Sequence, residues 1–543
     1  MSDADAALGL FDRLSELWEN IRTFGRSDRR SDTVLAPPNR RFKKKLLAIN
    51  SQSVQEMSVI DSEALTQDII ALFDDPSFAQ LDYNDRAWIF AQVQHIYAKT
   101  GHSSGLRIIP SAERQLAIVA DEAQRTHLTA LGTAYDLLYF LYWCWNNDIA
   151  AQRGFADNVV RPFAAAIRRE NPTSTRQRAP VRKKPVVGLL AQFLSPTPGN
   201  ALATVNQLVL RSVIASGFKP VLFAWAQHDP ETLMKIEALG VEIHAFTQSV
   251  TTNSLIDCIR DTETTIRKVD PDILITEMNS ALPTVLYERR VAKIQIFYQL
   301  GLPYWPLANL DAILNSWGVD PGKLEMVAER CFSLPTPFNL PEYVKEIDPA
   351  LIQSERDKFP PGRLIGSYGR ISKVTPDYIR TAAAIIDGIE GVTVLIGGPG
   401  DAGPVRRAVE ETGLADRFVI VGGFVDGQLW GNLLDFFLDT YPQPGGLTVM
   451  EMTAKGKPTV YREDPLVPNF TAFKVEELTA RDTETYVRIA RRLLTDDDYC
   501  EKMRAATRSL STDRPNEADY AEAMAHALTA SIRRYKQERM GLG

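Results

Sequence analysis

From Val186 onward the sequence alternates short apolar runs with stretches long enough for a helix, and it does so in two successive series. The first is PVVGLLAQF, KPVLFAWA, VEIHAF, PDILITEM, AKIQIFYQL and LDAILNS; the second, from Arg363, is LIGSYG, VTVLIGG, FVIVGG, FFLDTY and PTVYR. Runs of about four to eight apolar residues separated by helix-length connections predict parallel sheets. Parallel neighbours need a crossover connection, and the crossovers cover both faces. Two such series predict an α/β chain with two facing Rossmann-like lobes, over 186–340 and 341–481. Between them CFSLPTPFNLPEY is expected to be an irregular crossing, because its prolines disfavour regular structure. Open α/β sheets bind ligands outside the carboxyl ends of their strands, so both lobes should point their site loops into a shared cleft.

The rest of the chain reads differently. Residues 55–170 repeat apolar residues every three or four positions, as in DYNDRAWIFAQVQHIYAKTG, which predicts an all-helical domain. No clean helical-pair repeat is found there. NPTSTRQRAPVRKKP, 171–185, is polar, basic and proline-punctuated: a linker. Upstream, Leu10, Leu14, Leu17, Ile21 and Phe24 recur at helical spacing before a basic arm. Residues 1–54 are therefore expected to be a peripheral helix and a mobile tail, with peripheral membrane contact as the alternative use of that charge. The tail, 482–543, reads as two or three C-terminal helices closing the second lobe.

Composition excludes several classes. Net charge is −7, which lacks the concentrated basic face of a nucleic-acid protein. No apolar run is long enough for a membrane-spanning helix, and the acidic start MSDADAALGLFDRL lacks the basic region of a secretory signal. Cys144, Cys258, Cys331 and Cys500 form no CxxC pair, so reduced thiols in a cytoplasmic protein are expected. The six histidines are scattered and no acidic pair of DxD type follows a strand, so no metal or resident cofactor is expected.

Two segments carry candidate chemistry. In IGSYGRISKVTPDYI a strand runs into a turn with Arg370 and Lys373, after which Thr375 caps a helix with Pro376 at its first position. Two cations three apart at a strand's carboxyl end are placed to meet a diphosphate; the alternative is a solvated pair near a helix start, where cations are disfavoured. In LDFFLDTYPQPGGLTVMEM a strand ending at Asp439 leads through Gly445 and Gly446 to a helix beginning near Thr448. The glycines let backbone N–H groups approach an anion, and the helix start supplies partial positive charge. Glu451 sits one turn in, placed either to hold ribose hydroxyls or to close a capping box with Thr448. Weaker signals are the glycines Gly397, Gly398 and Gly400, and Gly423 with Phe424, whose backbone and ring suit the edge and face of a base.

These residues, in order across roughly 186–462, resemble the inverting GT-B glycosyltransferases that modify proteins: the O-linked N-acetylglucosamine transferase catalytic region and the bacterial adhesin N-glycosyltransferases. VGLLAQFLSPTPGNALA resembles the family's first strand and Gly-Asn loop, Gly199 and Asn200, and the L-G-x-P from Leu300 to Pro303, with Gly301, resembles its signature segment. The resemblance implies an acceptor cleft at those glycines and Asn200. It implies Lys373 as the main diphosphate contact with Arg370 as helper, phosphate contacts from Gly446, Leu447 and Thr448 beside Gly445, and a ribose contact from Glu451. The sequence departs from the family at Ala201 and Gly446, each standing where the N-acetylglucosamine transferases have a histidine, so the deprotonating group is left unassigned.

The expected function is transfer of a sugar from a nucleotide donor, a UDP-sugar, to a protein or glycan acceptor, inverting and metal-independent. Three alternatives stand beside it: a retaining GT-B transferase of capsule or lipid-linked glycan synthesis, a non-catalytic GT-B adaptor of a partner transferase, and a sugar-nucleotide epimerase.

Overall fold

The computed structural model describes residues 62–100, 103–121, 128–145, 149–170, 179–192, 194, 201–225, 230–246, 255–300, 305–316, 328–337, 340, 345–400, 402–463, 474–512 and 515–540. The expected amphipathic helix and basic arm of 1–54 lie outside these residues. Among them no helix is long and apolar enough to cross a membrane.

Both lobes are parallel sheets with one topology. The first holds β1 (Val186–Ala191), β2 (Lys219–Trp225), β3 (Glu242–Phe246), β4 (Ile273–Thr276), β5 (Ile294–Gln299), β6 (Ala312–Asn315) and β7 (Cys331–Ser333) in the order β3-β2-β1-β4-β5-β6-β7. The second holds β8 (Arg363–Tyr368), β9 (Val392–Gly398), β10 (Phe418–Gly422), β11 (Phe436–Leu438), β12 (Thr459–Arg462) and β13 (Thr479–Ala480) in the order β10-β9-β8-β11-β12-β13. Every residue of β1, β4, β5, β6, β9 and β11 is buried, which is why these strands read as continuous apolar runs rather than alternating ones. Each order reverses after its first strand, at β1/β4 and at β8/β11, and these are the topological switch points.

All eleven expected strands form. One expectation fails in part: Cys331–Ser333, assigned to the irregular crossing, extends the first sheet as β7, pairing Ile313 to Cys331 and Leu314 to Phe332. The prolines that follow, Pro335 and Pro337, end it.

Among the described residues between 62 and 170 the regular structure is entirely helical, including Ser62–Asp74, Tyr83–Thr100, Leu128–Trp145 and Arg161–Glu170. Ile69, Phe73, Phe90, Leu131, Leu138 and Phe163 are buried in one apolar cluster that continues without a break into Leu255, Leu274, Leu282 and Trp305 of the first lobe. Polar locks sit on the same seam. The Tyr135 hydroxyl donates to the Asn279 carbonyl at 2.8 Å, the Asp136 carboxylate accepts the Ala281 N–H at 2.8 Å, and Arg168 pairs with Glu288 at 2.8 Å. The end of the linker is pinned as well: Arg182 reaches Asp270 at 3.0 Å and Asp272 at 3.2 Å, and Asp272 also takes Lys293 at 2.8 Å.

The C-terminal helices divide between the lobes, which corrects the expectation that all of them close the second. Thr483–Thr495 and Asp497–Thr512 pack on the second lobe, where Arg363 donates to the Leu493 carbonyl at 2.9 Å. Glu517–Arg539 returns to the first lobe: Glu517 pairs with Arg211 at 2.6 Å, Tyr520 donates to the Tyr298 hydroxyl at 2.8 Å, and Tyr535 donates to the Ala179 carbonyl at 3.0 Å. The helical period of this segment was legible; the lobe that its buried Tyr520, Met524 and Leu528 cover was not.

Burial raises the Asp136 carboxyl to about 7, against the lowering effect of the Ala281 N–H. Between the ordinary carboxylate range and that pH, the folded chain holds a proton the unfolded chain has lost. Stability therefore falls as pH rises through this window, and the penalty is complete above about 7. Asp136→Asn keeps an oxygen for Ala281 and removes the charge. Its Tm is expected to exceed that of the unsubstituted protein by roughly 2–4 °C at about pH 8, the shift that about 1 kcal/mol makes in a domain of this size. The gain should shrink toward zero as pH falls to about 4, as checked by calorimetric melts.

Candidate functional site

The second lobe's switch point is built from backbone that leaves little slack. β8 ends at Tyr368, and Gly369 turns the chain with φ +140°. Gly398, at the end of β9 with φ +155°, lies against that turn: a Cβ there would stand 1.5 Å from the Gly369 carbonyl oxygen. The Ile371 N–H donates to the Pro399 carbonyl at 3.0 Å and starts a 3-10 turn over Ile371–Lys373. Thr375 then caps the helix Pro376–Ile386, accepting the Tyr378 N–H at 3.1 Å, as its sequence predicts. The turn brings Arg370 and Lys373 to the end of β11.

That end is held from three directions. Tyr378 donates to the Leu438 carbonyl at 2.9 Å, Tyr486 donates to the Asp439 carbonyl at 2.9 Å, and the Asp439 N–H donates to Val460 at 3.0 Å. The Asp439 side chain is 3% exposed and accepts the Gly445 N–H at 2.6 Å. A Cβ at Gly445 would stand 2.9 Å from the same oxygen, so glycine permits this approach. The Lys373 ammonium donates to the Pro444 carbonyl at 2.8 Å, fixing the neighbouring link of the loop. Gly446 then opens the helix Leu447–Ala454.

Around these groups lies a solvent-open pocket lined by Ser367 to Arg370, Lys373, Thr440, Gly445 and Thr448, with Gly397 and Phe437 in its wall. Burial lowers Lys373 to about 8, helped by the Arg370 charge and opposed by Asp439. Burial raises Asp439 to about 7, opposed by the Gly445 N–H and by Lys373. Both shifts start from desolvation, which the attraction between the two groups only partly offsets. Two cations, a helix start and a hydroxyl converging on one pocket are equipped for a polyanion.

Glu451 stands behind this pocket wall. The capping-box reading of Thr448 and Glu451 does not hold: the N-cap is Gly446, with no side-chain cap bond, so Glu451 lies five residues beyond the cap rather than three. Its carboxylate instead accepts the Tyr368 hydroxyl at 3.2 Å. A Cβ at Gly427 would meet it at 2.8 Å, so that glycine leaves room for the carboxylate. Burial raises the Glu451 carboxyl, with Lys455 opposing. Lys455, itself lowered to about 8 by burial, donates to Gln428 at 2.8 Å.

The structure thus brings together Arg370, Lys373, Gly445 and Thr448 as pocket lining, with Gly446 and Leu447 opening the adjoining helix and Glu451 outside the lining, bonded to Tyr368, which is part of it. Gly423, with φ +89°, and Phe424, 57% exposed, lie at the end of the edge strand β10 and are not among the pocket lining. Gly199, Asn200 and Gly301 lie outside the described residues. Sequence reasoning missed Tyr368 and the role of Asp439, which it read only as a strand end. The available signal was an acid at the carboxyl end of a strand followed six positions later by a glycine.

Gly398→Ala is expected to cost about 3 kcal/mol or more in chemical unfolding, because the new carbon meets backbone rather than a side chain that can rotate away. Gly423→Ala also places a side chain at positive φ, but into open space, and should cost only about 1 kcal/mol.

Two doubly wound parallel sheets of one strand order in tandem are the architecture of the GT-B fold, and the pocket lies at the switch point of the second. Among solved structures the chain is similar to a mutant of Thermobaculum terrenum O-GlcNAc transferase, with TM-score 0.52 and 18% identity over 88% of this chain and 100% of that one. Anabaena HepE in complex with UDP and glucose aligns with TM-score 0.48 and 14% identity over 63% and 99% of the two chains. Sucrose-phosphate synthase from Thermosynechococcus elongatus aligns with TM-score 0.48 and 16% identity over 65% and 98%. No protein-family model and no curated relative matches the sequence.

Proposed function

We propose that the protein is a glycosyltransferase that moves a sugar from a UDP-sugar to a hydroxyl or amide of a protein or glycan, with inversion and without a metal. The observation that carries this reading is the pairing of Lys373 and Arg370 with the Gly445–Thr448 helix start across the β8/β11 switch point. Sugar transfer leaves a nucleoside diphosphate as the departing group, and stabilising its developing charge is the main electrostatic task. Lys373 is already desolvated and held by the Pro444 carbonyl, so a diphosphate oxygen replaces one acceptor with a charged one. Glu451 accepts from the ribose hydroxyls, at the far side of Tyr368. The helical N-terminal unit, locked to the first lobe, helps to present the acceptor.

A panel of nucleotide sugars tested for thermal stabilisation identifies the donor, because a bound ligand raises Tm by mass action. Product NMR then gives the anomeric configuration, and retention there would overturn inversion. Lys373→Ala is expected to weaken UDP binding by about 10- to 100-fold in calorimetry, the loss of a charge-assisted contact.

The pH dependence has a definite sign. Below about 8 Lys373 is cationic in the ligand-free protein, and a bound diphosphate holds that proton on. Binding therefore takes up a proton above that pH, and UDP affinity falls as pH rises through and beyond about 8. Asp439 acts in the same direction, since its ionisation near 7 sets an anion beside the phosphates. Calorimetry from about pH 6 to pH 9.5 checks this, and Lys373→Arg should flatten the alkaline limb. Glu451→Ala should weaken UDP but leave 2′-deoxy-UDP nearly unaffected; equal losses on both would remove Glu451 from the ribose.

A further inference from the structure

The two lobes carry the same strand order, and the residue directly after the fourth strand of each is a buried acid. In the second lobe this is Asp439, after β11; in the first it is Glu277, after β4. Asp439 has a backbone N–H and a lysine before it. Among the described residues no lysine or arginine is paired with Glu277, and the amides that reach it are the Asn206 side chain and the backbone N–H groups of Gln192 and Glu277 itself. One of its oxygens accepts the Asn206 amide at 2.9 Å, and its other, Oε2, is buried with no hydrogen-bond partner.

Glu277 is not alone in this. Asn279, 1% exposed, has partners for neither its Oδ1 nor its Nδ2, and the Ser280 Oγ is buried without one. Ser280 is the N-cap of the helix Ala281–Glu288 yet makes no side-chain cap bond. Four polar atoms on one short stretch, at the carboxyl end of a sheet's switch-point strand, are thus enclosed and unsatisfied. Native proteins seldom leave such atoms without a partner, and one explanation of a retained set is a polar group that arrives from outside. The surrounding backbone is rigid: Thr276 donates to the Leu190 carbonyl at 3.0 Å and Tyr135 of the helical unit to the Asn279 carbonyl at 2.8 Å.

We propose that this stretch is the acceptor subsite, in which Asn279 and Ser280 hold a neutral hydroxyl or carboxamide and Glu277 Oε2 takes its proton. This rests on the transferase reading above. In the step, the acceptor's O–H or N–H bond breaks and its proton passes to Glu277. The freed electron pair forms the bond to the anomeric carbon, and the bond from that carbon to the diphosphate oxygen breaks, its pair leaving with UDP. Glu277 then returns the proton to water. Burial raises the Glu277 carboxyl to about 7, opposed by Asn206 and by the backbone N–H groups of Gln192 and Glu277 itself. Among the described residues the titratable groups that sense its charge are Tyr287 and Tyr298, both themselves raised by burial. A carboxylate so placed is matched to proton transfer near neutral pH.

The test uses the full chain, UDP for binding, and UDP-glucose and UDP-N-acetylglucosamine with water as acceptor, following UDP release against pH. In the unsubstituted protein release should rise with pH to a plateau, with its midpoint near 7. Glu277→Gln should bind UDP unchanged and lose about 100-fold or more of the plateau rate, together with the acidic limb. Glu277→Asp should keep the limb at a lower rate. A purely structural Glu277 would lower the rate and leave the limb in place, so a limb that persists in Glu277→Gln overturns the proposal. If Glu277→Gln does not fold, Glu277→Asp decides, since loss of its limb overturns the assignment. Unsubstituted protein that binds UDP but releases none from either sugar at any pH overturns the base assignment and leaves the donor site standing. Failure to bind UDP at all removes the transferase reading beneath it.

Discussion

A carboxylate taken out of water must find its hydrogen bonds close at hand, and in the second lobe Asp439 finds them in the loop that makes the pocket. The Gly445 N–H comes to 2.6 Å, and Lys373, bonded to the adjacent Pro444, supplies charge from the other strand. The acid lies on β11's end, the lysine beyond β8, and the loop leads to the helix Leu447–Ala454. One buried group thus couples the three elements that meet at the switch point. Desolvation makes a lone buried charge costly, so the site holds its shape only while all three partners stay in register. Tyr378 and Tyr486 explain the stiffness below it, because both spend their hydroxyls on the β11 backbone.

Much of this was readable from residue types. Short apolar runs identify β1 to β6 and β8 to β12, continuous in the strands buried on both faces and weaker in the edge strands β3 and β10. Thr375 and Pro376 set the helix start, and the same local rule places Arg370 and Lys373 in the turn before it. What eludes such reading is every contact made across sequence distance. The Thr448-x-x-Glu451 spacing satisfies a capping rule, yet the helix begins one residue sooner and Tyr368, 83 positions away, takes the carboxylate. β7 is only three residues long and β13 two, too short for periodicity to register, and their partners supply the order. Glu277 reads as one polar residue after an apolar run; its unsatisfied oxygen is a property of the packed lobe.

The lobes differ in what surrounds them. Apolar packing joins the helical unit to the first lobe in one core, so Tyr135 and Asp136 reach the end of β4 from outside the sheet. The second lobe buries Ile365, Ile379, Val394, Leu438 and Leu493 in a core of its own, while Leu364, Tyr368, Phe437 and Met450 fall in a cluster shared with Val187, Leu189 and Ile275 of the first lobe. Among the described residues, Arg370 and Lys373 gather at the second lobe's switch point, while the first lobe's holds Glu277 with the amides of Asn206 and Asn279.

The return of Glu517–Arg539 to the first lobe has a mechanical consequence. The chain passes between lobes once after β7 and again after the helix Asp497–Thr512, so two covalent spans join the halves rather than one. A single span lets a body swivel in any direction, whereas two define a line. With the final helix anchored by Arg211, Tyr298 and Asp311, two covalent crossings restrain the orientation of the lobes more tightly than one would.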